Sequence, residues 1–310
     1  MKILITGGAG FIASNICDAY IKAGHKVVVV DNLSSGKKVN LNPKAKFYRV
    51  DICDKKKIND IFKKEKPDMV NHHAAQIDVR KSVSDPMFDA GVNIIGTLNL
   101  LENSILYKVK KFIFASSGGV MYGECGRIPP TETKIPEPLS PYGVAKRTVE
   151  IYLNYYAKTY GLNYLALRYG NVYGPRQDPH GEAGVVAIFI KRILSDDKIM
   201  IFGNGNQLRD YVFVSDIVAA NVAALSKGKN DIINIATGKT KSVNDLFFEL
   251  AKISGYLKKP VYMPQRPGEL FKSSLSPDKA KRVLNWASKI DFKTGVELTY
   301  KYFSAKDKIK

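Results

Sequence analysis

The sequence begins with Lys2-Ile-Leu-Ile-Thr6 and continues as Gly7-Gly-Ala-Gly10-Phe-Ile-Ala13. The apolar run predicts a buried strand, and the glycines predict a tight turn into a helix. At such a turn the backbone can approach a pyrophosphate, and the first N–H groups of the helix point at the anion. Ala13 stands where a third glycine is frequent, and its methyl group still allows the helix to pack closely on the strand. The pattern therefore predicts a dinucleotide-binding turn.

The next segment, His25-Lys-Val-Val-Val-Val-Asp31, predicts a second strand that ends in an acidic residue. Its continuous apolar run is typical of a parallel strand buried on both faces. In dinucleotide sites an acid about 20 residues after the glycines accepts hydrogen bonds from the ribose hydroxyls, and it repels a 2′-phosphate. Asp31 therefore favours NAD as the cofactor. A glycine-rich turn before an ordinary helix is the alternative, and the ordered motif argues against it.

Strands and helices continue to alternate after this unit. We expect further strands over 47–50, 69–72, 112–116 and 163–168, and helices over 55–64, 85–107 and 142–160. This alternation predicts an α/β fold, a doubly wound parallel sheet of the Rossmann type with a smaller mixed α/β substrate domain. We assign 1–168 to the NAD-binding domain, with about 209–236 returning to it, and 169–208 and 237–310 to the substrate domain.

The second part of the chain has a less regular pattern. We expect a helix over 185–194, a strand over 209–214, a helix capped by Ser215, and a helix over 243–254 capped by Ser242. The segment 264–269 predicts a loop. This part also supplies three arginines suited to bidentate phosphate binding, namely Arg176, Arg209 and Arg266.

A candidate catalytic pair lies in Ser140-Pro-Tyr142-Gly-Val-Ala-Lys146. A phenol and an ammonium four residues apart lie on the same face of a helix. A free tyrosine has a pKa of about 10, and a neighbouring Lys⁺ favours the phenolate. The spacing therefore predicts a tyrosine base with a lowered pKa. The alternative is a half-buried tyrosine beside a lysine that reaches solvent.

The helix that follows Tyr142 is apolar nearly all round, because its apolar and aromatic residues include Val149, Ile151, Leu153 and Tyr155. A helix of this kind is buried on more than one side, either by the sheet and neighbouring elements or by a partner subunit. We favour the second explanation and expect a homodimer contact.

Composition excludes some classes of protein and leaves others open. The formal net charge is +19 at pH 7, and the lysines are scattered in short groups without an aromatic platform. We interpret them as a solvated exterior that could attract an anionic small substrate, and we expect no nucleic-acid partner.

No apolar stretch approaches the roughly 18 residues that span a bilayer, so no membrane partner is expected. Cys17, Cys53 and Cys125 are odd in number and widely spaced, which favours free thiols in the cytoplasm.

Two adjacent histidines, His72 and His73, end the fourth predicted strand. Neighbouring residues on a strand point to opposite sides, and no other metal-binding residue lies nearby in the sequence. We therefore interpret both as structural and predict no metal site.

The combined motifs carry a family resemblance that covers nearly the whole chain. They are Thr6-Gly-Gly-Ala-Gly-Phe-Ile, Asp31-Asn-Leu-Ser-Ser-Gly, His73-Ala-Ala, Ser116-Ser-Gly-Gly-Val-Met-Tyr-Gly, Ser140-Pro-Tyr-Gly-Val-Ala-Lys, Arg168-Tyr-Gly-Asn-Val-Tyr-Gly-Pro-Arg and Arg209-Asp-Tyr-Val. The chain resembles an extended short-chain dehydrogenase/reductase. It is most similar to the NAD-dependent nucleotide-sugar epimerases of the UDP-glucose/UDP-galactose 4-epimerase type, which act in galactose metabolism.

The resemblance implies roles for individual residues. Tyr142 would take the proton of the sugar hydroxyl, Lys146 would bind the nicotinamide ribose, and Ser117, with Ser116 as the alternative, would orient the substrate oxygen. The implied substrate-binding residues are Ser117, Tyr142, Asn171, Val185, Arg209 and Arg266. The implied NAD-binding residues are Gly7, Gly10, Phe11, Ile12, Asp31, Asn32, Ser35, Gly36, Asp51, Ile52, Ala74, Ala75, Gln76, Asn93, Ser116, Tyr142, Lys146, Tyr169 and Val172.

The implied reaction inverts carbon 4 of a UDP-hexose through a 4-keto intermediate, with NAD unchanged at the end. Relatives that dehydrate the sugar carry an Asp-Glu pair where this chain has Gly118 and Gly119, which argues against dehydration. Ser273 stands where epimerases vary between bulky and small residues, and a small one leaves room for an N-acetylated sugar. A UDP-glucuronate 4-epimerase, a nucleotide-sugar dehydrogenase or reductase, and an NAD-binding regulatory module are the alternatives.

Overall fold

A computed structural model describes residues 1–124, 126–179, 184–266 and 268–307. Cys125, one of the three expected free thiols, and Pro267 of the predicted loop 264–269 lie outside these ranges. The strands are β1 Lys2–Thr6, β2 Lys26–Asp31, β3 Lys46–Arg49, β4 Met69–His72, β5 Lys111–Ser117, β6 Asn163–Tyr169, β7 Asn171–Tyr173, β8 Met200–Phe202, β9 Leu208–Arg209, β10 Tyr211–Phe213, β11 Asp231–Ile235, β12 Lys241–Ser242, β13 Val261–Met263 and β14 Lys272–Ser273. The helices are α1 Phe11–Lys22, α2 Lys55–Glu65, α3 Val79–Ser84, α4 Pro86–Ala90, α5 Gly96–Leu106, α6 Pro141–Tyr160, α7 Val185–Leu194, α8 Val214–Ala224, α9 Val243–Ser254, α10 Asp278–Leu284 and α11 Phe292–Asp307.

The central sheet has seven strands in the order β11-β6-β5-β4-β1-β2-β3. Every neighbouring pair in it is parallel. The strand order reverses direction between β1 and β4, which is the switch point where ligands bind in such sheets. The predicted Rossmann fold is confirmed. Strand β11 adds to the sheet beside β6.

Both faces of this sheet are covered. Alternate residues of one strand enter different cores, because successive side chains on a strand point to opposite faces. Ile3 and Ile5 pack with α1 and α8, whereas Leu4 packs with α2, α5 and α6. The continuous apolar runs of the sequence follow from this burial on two sides.

A second core holds the remaining elements together. It is built from α7, α9 and α11, with Phe189, Ile201, Phe247 and Val296 buried in it. Short sheets β10-β7, β12-β9-β14 and β13-β8 border it. The mixed α/β character predicted for this part is confirmed, whereas the division of the chain at particular residues stays a prediction.

The predicted strand over 209–214 is wrong in detail, because it is two strands separated by Asp210. The Asp210 carboxylate is buried and accepts hydrogen bonds from the backbone N–H groups of Thr237 (2.8 Å) and Gly238 (2.9 Å). Helix α8 then begins at Val214 with Phe213 at its N-cap, so the predicted cap by Ser215 is wrong. The cap by Ser242 is confirmed, since its hydroxyl accepts from the Asp245 N–H in a capping box.

The long helix predicted over 85–107 contains a π turn at Gly91–Ile95, between α4 and α5. Such turns in helices are frequent at functional sites. The short helix α3, capped by Asp78, was not predicted from the sequence. Within the described residues no helix is long and apolar enough to cross a membrane.

Candidate active site

The glycine turn joins β1 to α1 and leaves no space for side chains at its glycines. Gly7 has φ of +68°, and a Cβ there would lie 2.7 Å from the backbone nitrogen of Ala74. Gly10 is the N-cap of α1, and its N–H donates to the Gly7 carbonyl at 2.9 Å. The first N–H groups of the helix, from Phe11 and Ile12, have no carbonyl of a preceding turn to bind. This turn fits the phosphates of a dinucleotide.

Asp31 ends β2 beside this turn. One carboxylate oxygen accepts from the Ala9 N–H at 2.9 Å, and the other accepts from the Leu33 N–H at 2.8 Å. A carboxylate has about four acceptor sites, so each oxygen can still accept from a ribose hydroxyl. Gly36 lies against Asp31, since a Cβ at Gly36 would be 2.9 Å from both carboxylate oxygens. The residues present therefore fit NAD at its adenosine end.

The other predicted cofactor residues surround the same edge of the sheet. The Asn32 amide donates to Asp51 at 2.7 Å, and the Ile52 carbonyl accepts from Asn99. In the π turn, Asn93 exchanges two hydrogen bonds of 3.0 Å with the backbone of Gln76. Ala74 and Ala75 follow β4, Ser35 is exposed in the loop after β2, Tyr169 ends β6, and Val172 lies on β7.

Ser117, Tyr142 and Lys146 meet at the carboxyl end of β5. Tyr142 and Lys146 share one face of α6, and the Lys146 Nζ lies 5.6 Å from the Tyr142 ring centroid. The Lys146 Nζ donates to the Ala115 carbonyl at 2.9 Å, and this side chain is buried. Burial lowers the pKa of Lys146 to about 8, and the charges of Asp89 and Glu150 oppose that shift.

We expected a lowered pKa for Tyr142, and for the protein chain alone this expectation is wrong. Burial raises the pKa of Tyr142, the negative charge of Asp89 adds to the rise, and the Ser117 hydroxyl acts in the opposite direction. Desolvation disfavours the phenolate, and Lys146 faces the ring rather than forming an ion pair with the phenol oxygen.

The two adjacent serines have different surroundings. The Ser116 hydroxyl donates to Glu150 at 2.8 Å and is buried. Glu150 also receives two hydrogen bonds from the buried Arg168 guanidinium, at 2.8 and 2.6 Å. Ser117 interacts with Tyr142 instead. Of the two hydroxyls, that of Ser117 is therefore the one beside the tyrosine.

A cavity of about 220 Å³ is lined by residues of β7, α7 and β8 and by the segments around Arg209 and Arg266. Four residues predicted to bind substrate line it, namely Asn171, Val185, Arg209 and Arg266. The Arg266 guanidinium stacks on the Phe202 ring at 3.7 Å. Strand β7 links the cavity to the cluster, because it begins two residues after β6, whose last residue pairs with Ser117.

Several polar residues of the cavity were not predicted from the sequence. Gln207 Oε1, Tyr211 OH and Glu269 Oε2 are buried and lack hydrogen-bond partners among residues 1–124, 126–179, 184–266 and 268–307. Buried polar atoms normally have partners, so these atoms indicate a polar ligand. Tyr211 belongs to the quoted Arg209-Asp-Tyr-Val motif, which was the available signal. Glu269 also accepts from Arg209 at 3.1 Å.

Arg176, suggested by the sequence as a third phosphate-binding arginine, lies elsewhere. Its guanidinium pairs with Asp18 of α1 at 2.7 Å, and it is not among the residues that line the cavity. Arg209 and Arg266 therefore supply the positive charge of the cavity.

There is no space for a side chain at Gly118, whereas there is space for a Cβ at Gly119. A Cβ at Gly118 would lie 2.2 Å from the Leu275 side chain, so a carboxylate has no space there. A Cβ at Gly119 would lie 3.5 Å from Asn171 Oδ1 and 3.9 Å from Ser273 Oγ. Ser273 is thus a small residue beside Gly119.

The two histidines make contacts within the protein. His72 lies between the hydroxyls of Thr6 (2.7 Å) and Thr97 (2.8 Å). His73 contacts the Tyr169 hydroxyl at 3.1 Å and stacks on its ring. Burial, with a smaller effect of the Lys146 charge, lowers the pKa of His73 to about 3. These contacts agree with a structural role for both.

Comparison with known proteins gives consistent matches. The model of the NAD dependent epimerase/dehydratase family matches residues 3–236. A UDP-glucose 4-epimerase from Thermotoga maritima, crystallised with UDP-glucose, is 53% identical with a TM-score of 0.97, and 99% of each chain is covered. A UDP-glucose 4-epimerase from Thermus thermophilus in complex with NAD is 43% identical with a TM-score of 0.94, over 98% of this chain and 99% of that one. A UDP-N-acetylglucosamine 4-epimerase from Methanobrevibacter ruminantium, in complex with UDP-N-acetylmuramic acid, is 35% identical with a TM-score of 0.93, and 98% of each chain is covered.

Proposed function

The chain belongs to the NAD-dependent epimerase/dehydratase family, and we propose that it inverts carbon 4 of a UDP-hexose through a 4-keto sugar. The observation that carries this proposal is the cluster of Ser117, Tyr142 and Lys146 beside a polar cavity with two arginines. A tyrosine and a serine suit proton transfer at one hydroxyl, and arginines suit a diphosphate.

Each residue of the cluster has a defined task in this proposal. Tyr142 takes the proton of the sugar hydroxyl and returns it. Ser117 orients the sugar oxygen, since its hydroxyl already lies beside the tyrosine. Lys146, held by the Ala115 carbonyl, supplies a positive charge that favours loss of the tyrosine proton. Arg209 and Arg266 hold the diphosphate, and Asn171 binds a sugar or phosphate oxygen.

The cofactor site follows from the glycine turn. NAD would be held by the first turn of α1 at its phosphates and by Asp31 at its ribose. When bound, it would supply the hydride acceptor and donor that the side chains of this chain do not provide. The family resemblance implies that its nicotinamide end would lie toward Lys146, at the end of β5.

Product analysis decides between this function and its enzymatic alternatives. The purified protein is incubated with UDP-galactose, UDP-N-acetylglucosamine or UDP-glucuronate, and the products are followed by NMR. We expect the 4-epimer of at least one hexose and no stoichiometric NADH in the steady state. Stoichiometric NADH would indicate a dehydrogenase, and epimerisation of UDP-glucuronate alone would indicate the glucuronate enzyme. Formation of no epimer from any of them contradicts the proposal.

The small side chain of Ser273 supports activity on N-acetylated sugars as well. Replacement with tyrosine would place a large ring beside Asn171 and Gly119. We expect Ser273→Tyr to lower the epimerisation rate of UDP-N-acetylglucosamine roughly tenfold or more, while that of UDP-galactose is retained. Ser273→Ala is the matched control and should leave both rates nearly unchanged. Equal losses on both sugars in Ser273→Tyr would show that Ser273 does not select the substrate.

We also propose a homodimer formed through α5 and α6, which pack against each other. Val149 and Leu153 of α6 are buried in the core, whereas Ile151 and Tyr155 are about half exposed, at 56% and 47%. On α5, Leu106 is also exposed. A second copy can cover these exposed residues by a two-fold contact of this face with itself.

Size-exclusion chromatography with light scattering tests the homodimer. Ile151→Lys should halve the measured mass, because a charged side chain would be buried in the apolar contact. Phe248→Lys on α9, where Phe248 is 62% exposed, is the control and should not change the mass. A wild-type protein of monomer mass contradicts the proposal.

Two other expectations stay predictions. A cytoplasmic location is supported by Cys17 and Cys53, which are free thiols in this structure. Residues 1–168 with 209–236 form the proposed NAD-binding domain, and 169–208 with 237–310 the proposed substrate domain. Cell fractionation and limited proteolysis would test them.

A further inference from the structure

Asp89, in α4, is a buried acidic residue to which neither the sequence motifs nor the proposed reaction assigns a role. It is 1% exposed. Its Oδ1 accepts from the Gln76 side-chain amide at 3.0 Å and from that of Asn93 at 2.9 Å. Its Oδ2 is buried and has no hydrogen-bond partner among the described residues. An ionised carboxylate in this situation requires a compensating charge, because burying a lone charge is costly.

The fold places this carboxylate against the catalytic helix. Helix α4 and the π turn that follows it both pack on α6, which carries Tyr142 and Lys146. The Asn93 amide that binds Asp89 also exchanges two hydrogen bonds with the Gln76 backbone, and the Gln76 side-chain amide also donates to the Asp78 carbonyl, so the carboxylate is set in a connected polar cluster.

The other acidic residue close to Lys146 is already compensated. Glu150 is paired with Arg168 at 2.6 Å and with Arg147 at 3.2 Å. Asp89 receives only amide hydrogen bonds in the described part of the chain. Lys146 in turn donates to a carbonyl oxygen and not to a carboxylate. Within the described residues, Asp89 and Lys146 are thus the two buried, opposite charges of this region that lack a direct ionic partner.

The electrostatics of both catalytic groups depend on Asp89. Burial lowers the pKa of Lys146, and the charge of Asp89 opposes this shift. Burial raises the pKa of Tyr142, and the charge of Asp89 raises it further. The elements packed around this cluster carry further titratable and charged groups. These are Tyr142, Lys146, Glu150 and Arg147 on α6, Arg168 on β6, His72 and His73 at the end of β4, Arg80 and Lys81 on α3, and Asp78 and Asp85 at the N-caps of α3 and α4.

We propose that Asp89 is a positioning residue of this active site, whose buried negative charge acts on Lys146 and Tyr142 from the adjoining helix α4. It acts through these two side chains and does not touch the reacting atoms. It sets the pH at which Tyr142 loses its proton to become the base, and the pH at which Lys146 loses its charge. The kinetic test of this inference rests on the proposed function, whereas the spectroscopic test does not.

The sign of the effect follows from the charge. Removal of a negative charge favours the neutral lysine and the charged phenolate, so both groups lose their protons at lower pH. We expect Asp89→Asn to shift both limbs of the pH profile of kcat to lower pH by roughly one unit. The amide oxygen of this variant can still accept from Gln76 and Asn93, so those hydrogen bonds are kept. Asp89→Glu retains the charge and should keep both limbs near their wild-type positions.

A second measurement makes the test independent of activity. Protein labelled with ¹³C at the lysine ε-carbon is titrated by NMR, and Lys146→Arg assigns the signal. In Asp89→Asn this signal should titrate at lower pH than in the wild type. Asp89→Ser is a smaller neutral replacement for use if Asp89→Asn does not fold, and thermal unfolding monitors both.

The outcomes separate the two hypotheses. The proposal is supported if the limbs of the pH profile, or the titration of the Lys146 signal, shift to lower pH in the neutral variants but not in Asp89→Glu. A uniform loss of kcat at every pH, with an unmoved lysine signal, would mean that Asp89 serves only as a hydrogen-bond acceptor and would overturn it. If the wild type forms no epimer but the Lys146 signal still titrates at lower pH in Asp89→Asn, the proposed function is refuted and this inference remains supported.

Discussion

Replacement of Tyr142 with phenylalanine is expected to lower kcat for epimerisation by about 10²–10⁴-fold, the range that a general acid–base group contributes. The change removes one oxygen, so the fold and the cavity should remain. Lys146 and Ser117 cannot replace the lost group, because neither carries a proton acceptor in line with the sugar oxygen in the proposed arrangement. The KM for the UDP-sugar should change little, since the arginines of the cavity are untouched.

The controls separate loss of chemistry from loss of structure. Tyr155→Phe removes a hydroxyl from the exposed side of the same helix and should leave kcat unchanged. NAD content, measured after denaturation, should be equal in both variants and the wild type. Full activity of Tyr142→Phe would contradict the assigned role. An unchanged activity in cells would favour the regulatory NAD-binding module.

Replacement of Glu150 with alanine is expected to lower the free energy of unfolding by about 3–5 kcal/mol, because it leaves a buried guanidinium without its partner. Arg168 is 1% exposed and directs two hydrogen bonds to Glu150. The Ser116 hydroxyl would lose its acceptor as well. This network joins β5, α6 and β6 directly behind Ser117, so the change should also lower kcat.

Urea unfolding followed by circular dichroism measures the effect. Glu297→Ala removes an exposed ion pair with Lys301 (2.6 Å) on α11 and serves as the matched control, with no measurable change expected. Glu150→Ala together with Arg168→Leu should recover part of the lost stability, since no buried charge then remains unpaired. A Glu150→Ala midpoint equal to that of the wild type would show that the buried pair does not stabilise the fold.

Local patterns in the sequence predicted most of the central sheet. Strand β4 and helices α7 and α9 have the predicted bounds, and the turn before α1 is where the glycines place it. These features depend on residues close together in the chain, where burial on two sides and backbone freedom leave clear patterns. Helix α3 was missed although its N-cap, Asp78, is local. The break at Asp210 was missed because it depends on contacts with distant residues. The hydrogen bonds of Asp210 to Thr237 and Gly238 are an example.

The identity of the candidate site residues followed from motifs, but their environment did not. The sequence alone determined the glycine turn, the acid after β2, and a tyrosine and lysine on one helix face. Only the tertiary structure decided that Ser117 and not Ser116 lies beside Tyr142, because Glu150 binds the Ser116 hydroxyl. It also decided that Arg209 and Arg266 line a cavity while Arg176 pairs with Asp18.

The direction of the Tyr142 pKa shift is the clearest case of this division. Spacing along a helix predicts the nearby lysine, and a lysine alone would lower the pKa. Desolvation by packed neighbours and the charge of Asp89, from a separate helix, raise it instead. Sequence patterns report which residues are neighbours along one element, whereas burial and through-space charge arise only when elements pack together.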